Sequence, residues 1–134
     1  MTESSNVELA KRGYAAFMSG DIPGLLELCT ADIDFIYPSI AGVPYATGSR
    51  RGLDAFRQFI DELAEAEETE AFPQDQFIAQ GDSVVMLGTY RARARSTGRV
   101  WESAIAQVMT VRDAKIQKME TFFDTAASAE AYRS

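Results

Sequence analysis

Apolar positions recur at two different periods along this chain, and the change between them divides it in two. In the first half, Val7, Ala10, Tyr14 and Phe17 fall on one face at helical spacing, and Gly20-Asp21 ends that helix and caps the next. A second helix is expected from about Ile22 to Thr30, with Leu25, Leu26 and Leu28 as its apolar residues, so that the two form a helical hairpin. Phe35-Ile36-Tyr37 reads as a short strand. The loop from Pro38 to Gly52 carries three Gly and two Pro and is long enough to wall or cover a pocket. Leu53, Phe56, Ile60 and Leu63 mark a third amphipathic helix, and the acidic run from Glu62 to Glu70 reads as its solvated face.

From Pro73 the period shortens toward two. Strands are expected over Gln76 to Ala79, Ser83 to Arg95, Arg99 to Arg112 and Lys115 to Asp124, with turns at Gly81-Asp82, Thr97-Gly98 and Asp113-Ala114. Asp124 to Tyr132 reads as a closing helix. Helices followed by long antiparallel hairpins define an α+β chain, with helices covering one face of a curved sheet. No repeat or linker interrupts residues 1–134, which read as a single domain.

Composition narrows the chemistry. At 134 residues, 46% hydrophobic and 25% charged, the chain has the size and balance of one globular core. Its net charge of -7 repels phosphate backbones and anionic lipid, so neither nucleic acid nor membrane is an expected partner. The single cysteine, Cys29, forms no internal bridge and fits a reducing, cytoplasmic setting. The chain has no histidine, which excludes Ser-His-Asp and Cys-His nucleophile systems and histidine-based zinc sites. Any acid or base is therefore Asp, Glu, Tyr, Lys or Cys, and no metal or cofactor is expected.

The strand from Val84 to Arg95 has one apolar face: Val84, Met86, Gly88, Tyr90, Ala92 and Ala94. Its small residues under aromatic-bearing helices suit a cavity, the usual seat of a small molecule; close helix packing is the competing reading. The other face carries Arg91, Arg93 and Arg95, expected to pair with acidic cross-strand neighbours.

This layout resembles the SnoaL-like and ketosteroid-isomerase-like families of the nuclear transport factor 2 fold. The resemblance rests on Tyr14-Ala15-Ala16-Phe17-Met18-Ser19-Gly20-Asp21-Ile22, Thr30-Ala31-Asp32-Ile33-Asp34, Pro38, Gly52 and Lys115-Ile116 through Phe122-Phe123-Asp124. It implies a cystatin-like architecture: a cone-shaped, strongly curved, mixed or antiparallel sheet covered by three helices from the N-terminal half, commonly as a homodimer. The family's chemistry transfers only in part. In ketosteroid isomerases a tyrosine and a protonated Asp form the oxyanion hole and a second Asp is the base. Tyr14 matches the tyrosine, but Tyr37 stands where the base belongs and Ala104 where the protonated Asp belongs. Resemblance to limonene-epoxide hydrolases fails at Gly88, Tyr90 and Thr121, and Thr121 also stands where SnoaL-type cyclases place an Asp.

The remaining candidate acids are Asp124 and Glu102, with Tyr14 as a candidate oxyanion donor. Asp124 precedes Thr125-Ala126-Ala127 as a helix cap would, so cap and base compete for it. Glu102 alternates onto one face with Ala104 and Ala106, expected to line the pocket, while Trp101, Ser103, Ile105, Gln107 and Met109 are expected on an outer face suited to a dimer. Phe17, Tyr37, Phe56, Tyr90, Ala104, Met119, Thr121 and Phe123 are the expected ligand contacts. Two functions stay open: cofactor-free proton transfer by an isomerase, cyclase or dehydratase on an apolar cyclic substrate, or non-catalytic binding of such a ligand by a homodimer.

Overall fold

The computed structural model describes residues 2–134. Helix α1 (Glu3–Ser19) starts at a capping box, in which the Thr2 side chain accepts from the Ser5 amide and Ser5 reaches back to the Thr2 backbone. It ends at Gly20, whose φ of 78° closes the last turn in the left-handed region. Helix α2 (Ile22–Glu27) is capped by the Asp21 carboxylate and is shorter than its leucines suggest. It gives way at Leu28, because the run from Cys29 onward pairs with the sheet and forms strand β1 (Cys29–Ile36). The short strand expected at Phe35-Ile36-Tyr37 is thus the end of a longer one.

The rest of the chain supplies β2 (Arg50–Arg51), α3 (Leu53–Ala66), β3 (Glu67–Ala71), β4 (Gln74–Gln80), β5 (Ser83–Ala94), β6 (Val100–Arg112), β7 (Lys115–Phe123) and α4 (Thr125–Tyr132). The strands form one curved, unclosed sheet in the order β2-β1-β7-β6-β5-β3, with β4 also on β5. Only the β1 to β7 contact is parallel; the rest are antiparallel. Helix α1 packs on β4, β5 and β7, α3 on β1 and β3, and α4 on β5 and β6. Among the described residues, no helix is long and apolar enough to cross a membrane.

Strand β5 shares one edge between β3 and β4, and Gly88 makes the changeover possible. A Cβ there would lie 2.2 Å from the Pro73 carbonyl oxygen, which instead accepts from the Thr89 amide at 3.2 Å. On the outer face, Arg91 and Arg93 both reach Glu70, and Arg95 reaches Glu68. These exposed pairs hold register more than they add stability.

The faces of β6 correct the sequence expectation. Direct partners in an antiparallel pair share a face, and the register couples Ala92 to Trp101, Tyr90 to Ser103 and Met86 to Gln107. Since Met86, Tyr90 and Ala92 are buried, Trp101, Ser103, Ile105, Gln107 and Met109 point inward with them. Glu102 and Ala104 are exposed on the opposite face, so neither lines the interior. The outer face instead carries an apolar row in which Leu87, Ala106 and Phe122 are cross-strand neighbours, with Leu87 37% and Phe122 54% exposed.

Candidate functional site

The concave side of the sheet and the helices enclose a cavity of about 90 Å³. Helices α1 and α3 contribute Tyr14, Phe17, Phe56, Phe59 and Leu63, and β1 and the residue after it contribute Phe35 and Tyr37. The sheet supplies Tyr90, Trp101, Ile105, Gln107, Met109, Met119, Thr121 and Phe123. The volume is below the roughly 150 Å³ that accommodates benzene, so a ring enters only as side chains give way. Phe17, Tyr37 and Phe123 are the half-buried members of this lining and mark where solvent approaches it.

Of the residues expected at a ligand, Phe17, Tyr37, Phe56, Tyr90, Met119, Thr121 and Phe123 line the cavity together with Tyr14, and Ala104 does not. The reason offered for the cavity also needs correction. Gly88, Ala92 and Ala94 are absent from its lining, because Gly88 abuts Pro73 and the two alanines are fully packed.

Two polar arrays adjoin the apolar wall, one within the lining and one that meets it only through Tyr90. In the first, the Tyr14 hydroxyl donates to Gln107 Oε1 at 2.7 Å and Gln107 Nε2 donates to Thr121 Oγ1 at 3.0 Å. Burial holds the Tyr14 phenol well above its ordinary pKa, so it stays a neutral hydroxyl.

The second array centres on Glu67, which sequence reasoning placed in a solvated run. Helix α3 ends at Ala66 and Glu67 turns extended, as the first residue of β3 opposite Ala94. That turn sends Glu68 and Glu70 outward to the arginines and buries Glu67 to 2% exposure. Three phenols donate to its carboxylate: Tyr45 at 2.6 Å and Tyr132 at 2.5 Å to Oε1, and Tyr90 at 2.6 Å to Oε2. Glu67 makes no ion pair among the described residues, so these hydroxyls replace the water that a buried carboxylate loses. Arg50 fixes Tyr45 from outside by donating to its carbonyl at 3.1 Å and to Glu62 at 2.6 Å. Burial, reinforced by the neighbouring Glu67 charge, drives the Tyr90 and Tyr132 phenols far upward, and Tyr45 is raised by burial first and by Tyr37 and Glu67 after it.

Trp101 is buried, lines the cavity, and its Nε1 has no hydrogen-bond partner among the described residues. No carboxylate is among the lining residues. Asp124 lies outside the cavity and caps α4, its Oδ1 accepting from the Ala127 amide at 3.1 Å. No group of three or more Asp, Glu, Cys or His suited to a metal occurs among the described residues.

A curved sheet and helices around an aromatic cavity with a few inward hydroxyl and amide groups define an α+β shell of the nuclear transport factor 2 type. The chain belongs to the SnoaL-like domain family, whose model matches residues 10–119. An NTF2-like protein from Burkholderia xenovorans is similar in structure with a TM-score of 0.89 and 33% identity, covering 99% of each chain. TerC, co-crystallized with polyporic acid, is similar with a TM-score of 0.86 and 28% identity, covering 97% of this chain and 99% of its own. An uncharacterized protein of Mycobacterium tuberculosis is 27% identical over 133 residues, 98% of both chains.

Proposed function

We propose that this protein binds a cyclic, mainly apolar small molecule in the cavity between sheet and helices. The observation that carries the reading is the cavity wall itself: a nearly continuous aromatic and aliphatic lining interrupted by the oriented Tyr14, Gln107 and Thr121 groups. Such a site takes an apolar body and orients it by a few polar contacts. The similarity to TerC makes polyporic acid the first compound to test. Trp101 is the sole tryptophan and lines the cavity, so occupancy is expected to change its fluorescence saturably. A linear, unsaturable response to polyporic acid and to a panel of cyclic ketones and phenols contradicts the proposal.

Binding without catalysis is favoured over proton transfer because Asp124 and Glu102 both lie outside the cavity. One observation supports the enzymatic reading: Tyr90 is a lining residue and its hydroxyl is bonded directly to the Glu67 carboxylate. Cofactor-free isomerisation, cyclisation or dehydration would then depend on that pair. The homodimer belongs to this proposal as well, and it uses the outer row of Leu87, Ala106 and Phe122 in place of the Trp101 face.

A further inference from the structure

Resting on the binding reading above, we propose that the Thr121 hydroxyl is the hydrogen-bond donor that seats the ligand, and that it selects a ring bearing a carbonyl oxygen. The reasoning is a count of protons along the array that lies within the lining. An O–H···O bond is ordinarily about 2.7 to 2.8 Å long and an N–H···O bond about 2.9 to 3.0 Å. Tyr14 lies 2.7 Å from one end of the Gln107 amide and Thr121 lies 3.0 Å from the other, so the amide oxygen faces Tyr14 and the amide nitrogen faces Thr121. Tyr14 thereby spends its one proton on Gln107, and Thr121 accepts from Nε2. The Thr121 proton is left over. A hydroxyl has one proton to give, and Thr121 Oγ1 gives it to no protein atom among the described residues.

Gln107 and Thr121 are direct partners across β6 and β7, so their side chains stand together on the concave face. Both are buried from bulk solvent, and both line the cavity, as does Tyr14. With no protein acceptor in reach, the Thr121 proton finds its acceptor in an oxygen inside the cavity, of water or of a ligand. The second amide proton of Gln107 is likewise without a protein acceptor among the described residues. A buried donor without a partner carries a desolvation penalty, whereas an oxygen that already makes one bond tolerates a spare lone pair. The unmet demand of this part of the wall is therefore for acceptors, and an apolar ring meets it with a carbonyl. By turning its nitrogen toward Thr121, Gln107 keeps the Thr121 proton free for that oxygen.

The test uses two probes with one bicyclic frame, 2-tetralone and 2-methylenetetralin, which differ only by a carbonyl oxygen against a methylene, titrated calorimetrically into the full chain. Thr121→Val keeps the shape of the side chain and removes the hydroxyl. It is expected to lower the affinity for the ketone relative to the hydrocarbon about tenfold, the factor that one ordinary hydrogen bond is worth. Thr121→Ser returns a hydroxyl and is expected to restore the preference. In the unmodified chain, the infrared carbonyl stretch of bound 2-tetralone is expected below its value in hexane; should Thr121→Val fail to fold, this shift and Thr121→Ala decide. Equal weakening of both probes by the Thr121 substitution is a packing effect and overturns the inference, as does an unshifted carbonyl stretch. A larger loss of ketone preference in Tyr14→Phe than in Thr121→Val puts the free proton at Tyr14 and overturns it as well. Absence of binding by both probes to the unmodified chain overturns the binding reading and this inference together.

Discussion

The Tyr14 hydroxyl on α1 donates to the Gln107 side-chain oxygen on β6 at 2.7 Å, a buried hydrogen bond between residues 93 apart in sequence. It ties the first helix to the centre of the sheet and fixes the orientation of the Gln107 amide, whose Nε2 continues to Thr121. Tyr14→Phe leaves Gln107 Oε1 buried without its donor, and the expected loss is about 1 to 3 kcal/mol of unfolding free energy. Urea unfolding measures it. Adding Gln107→Leu removes the orphaned acceptor and is expected to recover part of the loss; a double variant less stable than either single one contradicts this account.

Asp124 is predicted to behave as a cap. Asn supplies an equivalent side-chain oxygen to the Ala127 amide, so Asp124→Asn is expected to leave the melting temperature nearly unchanged, while Asp124→Ala lowers stability by about 1 kcal/mol. Helix α4 carries Tyr132 to Glu67, so the Ala variant is also expected to raise amide hydrogen exchange in α4. Equal effects of Asn and Ala on the melting temperature contradict the cap.

Alkaline pH is expected to destabilise the fold. Burial pushes the Cys29 thiol up to about 12, with Lys115 opposing it, and raises the Tyr14 and Tyr45 phenols well above their ordinary values. The folded chain therefore keeps protons that the unfolded chain releases near pH 8.5 for cysteine and near pH 10 for tyrosine. Where the unfolded state binds fewer protons, stability falls as pH rises. This contribution is fully present below about pH 8.5 and declines above it as pH approaches the folded-state values. Urea midpoints are predicted to hold steady from about pH 7 to 8 and to drop by about pH 11; a midpoint constant to about pH 11 contradicts the burial of these groups.

The outer sheet face is predicted to hold two copies together. Light scattering at micromolar concentration should give twice the 14.7 kDa chain mass, and Phe122→Asp, on the exposed face, should halve it without changing the melting temperature of a dilute sample. A monomer of unmodified chain removes this part of the account.

Periodicity made the strand faces of β5 legible, because along its second half Tyr90, Ala92 and Ala94 alternate with Thr89, Arg91 and Arg93. The same rule failed on β6. Both of its faces are half apolar, Trp101, Ile105 and Met109 against Ala104, Ala106 and Val108, and only pairing with β5 decides which is buried. Glu67 was hidden by its setting. Glu62 to Glu70 reads as one solvated acidic run, and the change from helix to strand at Glu67 depends on docking against Ala94, a contact with no local signature. Tyr14 and Tyr90 were identifiable as aromatic residues on inward faces, but their hydroxyl partners, Gln107 and Glu67, lie on distant elements and emerge only from the fold.

Calorimetric titration of polyporic acid into the unmodified chain and into Ile105→Phe tests the central claim most directly, because Ile105 lines the cavity and the larger side chain fills it from the sheet side. The account predicts one site per chain in the unmodified protein and a loss of affinity of at least about tenfold in a variant that melts at the same temperature. Binding that is absent from the unmodified chain, or that survives the filled cavity undiminished, contradicts it.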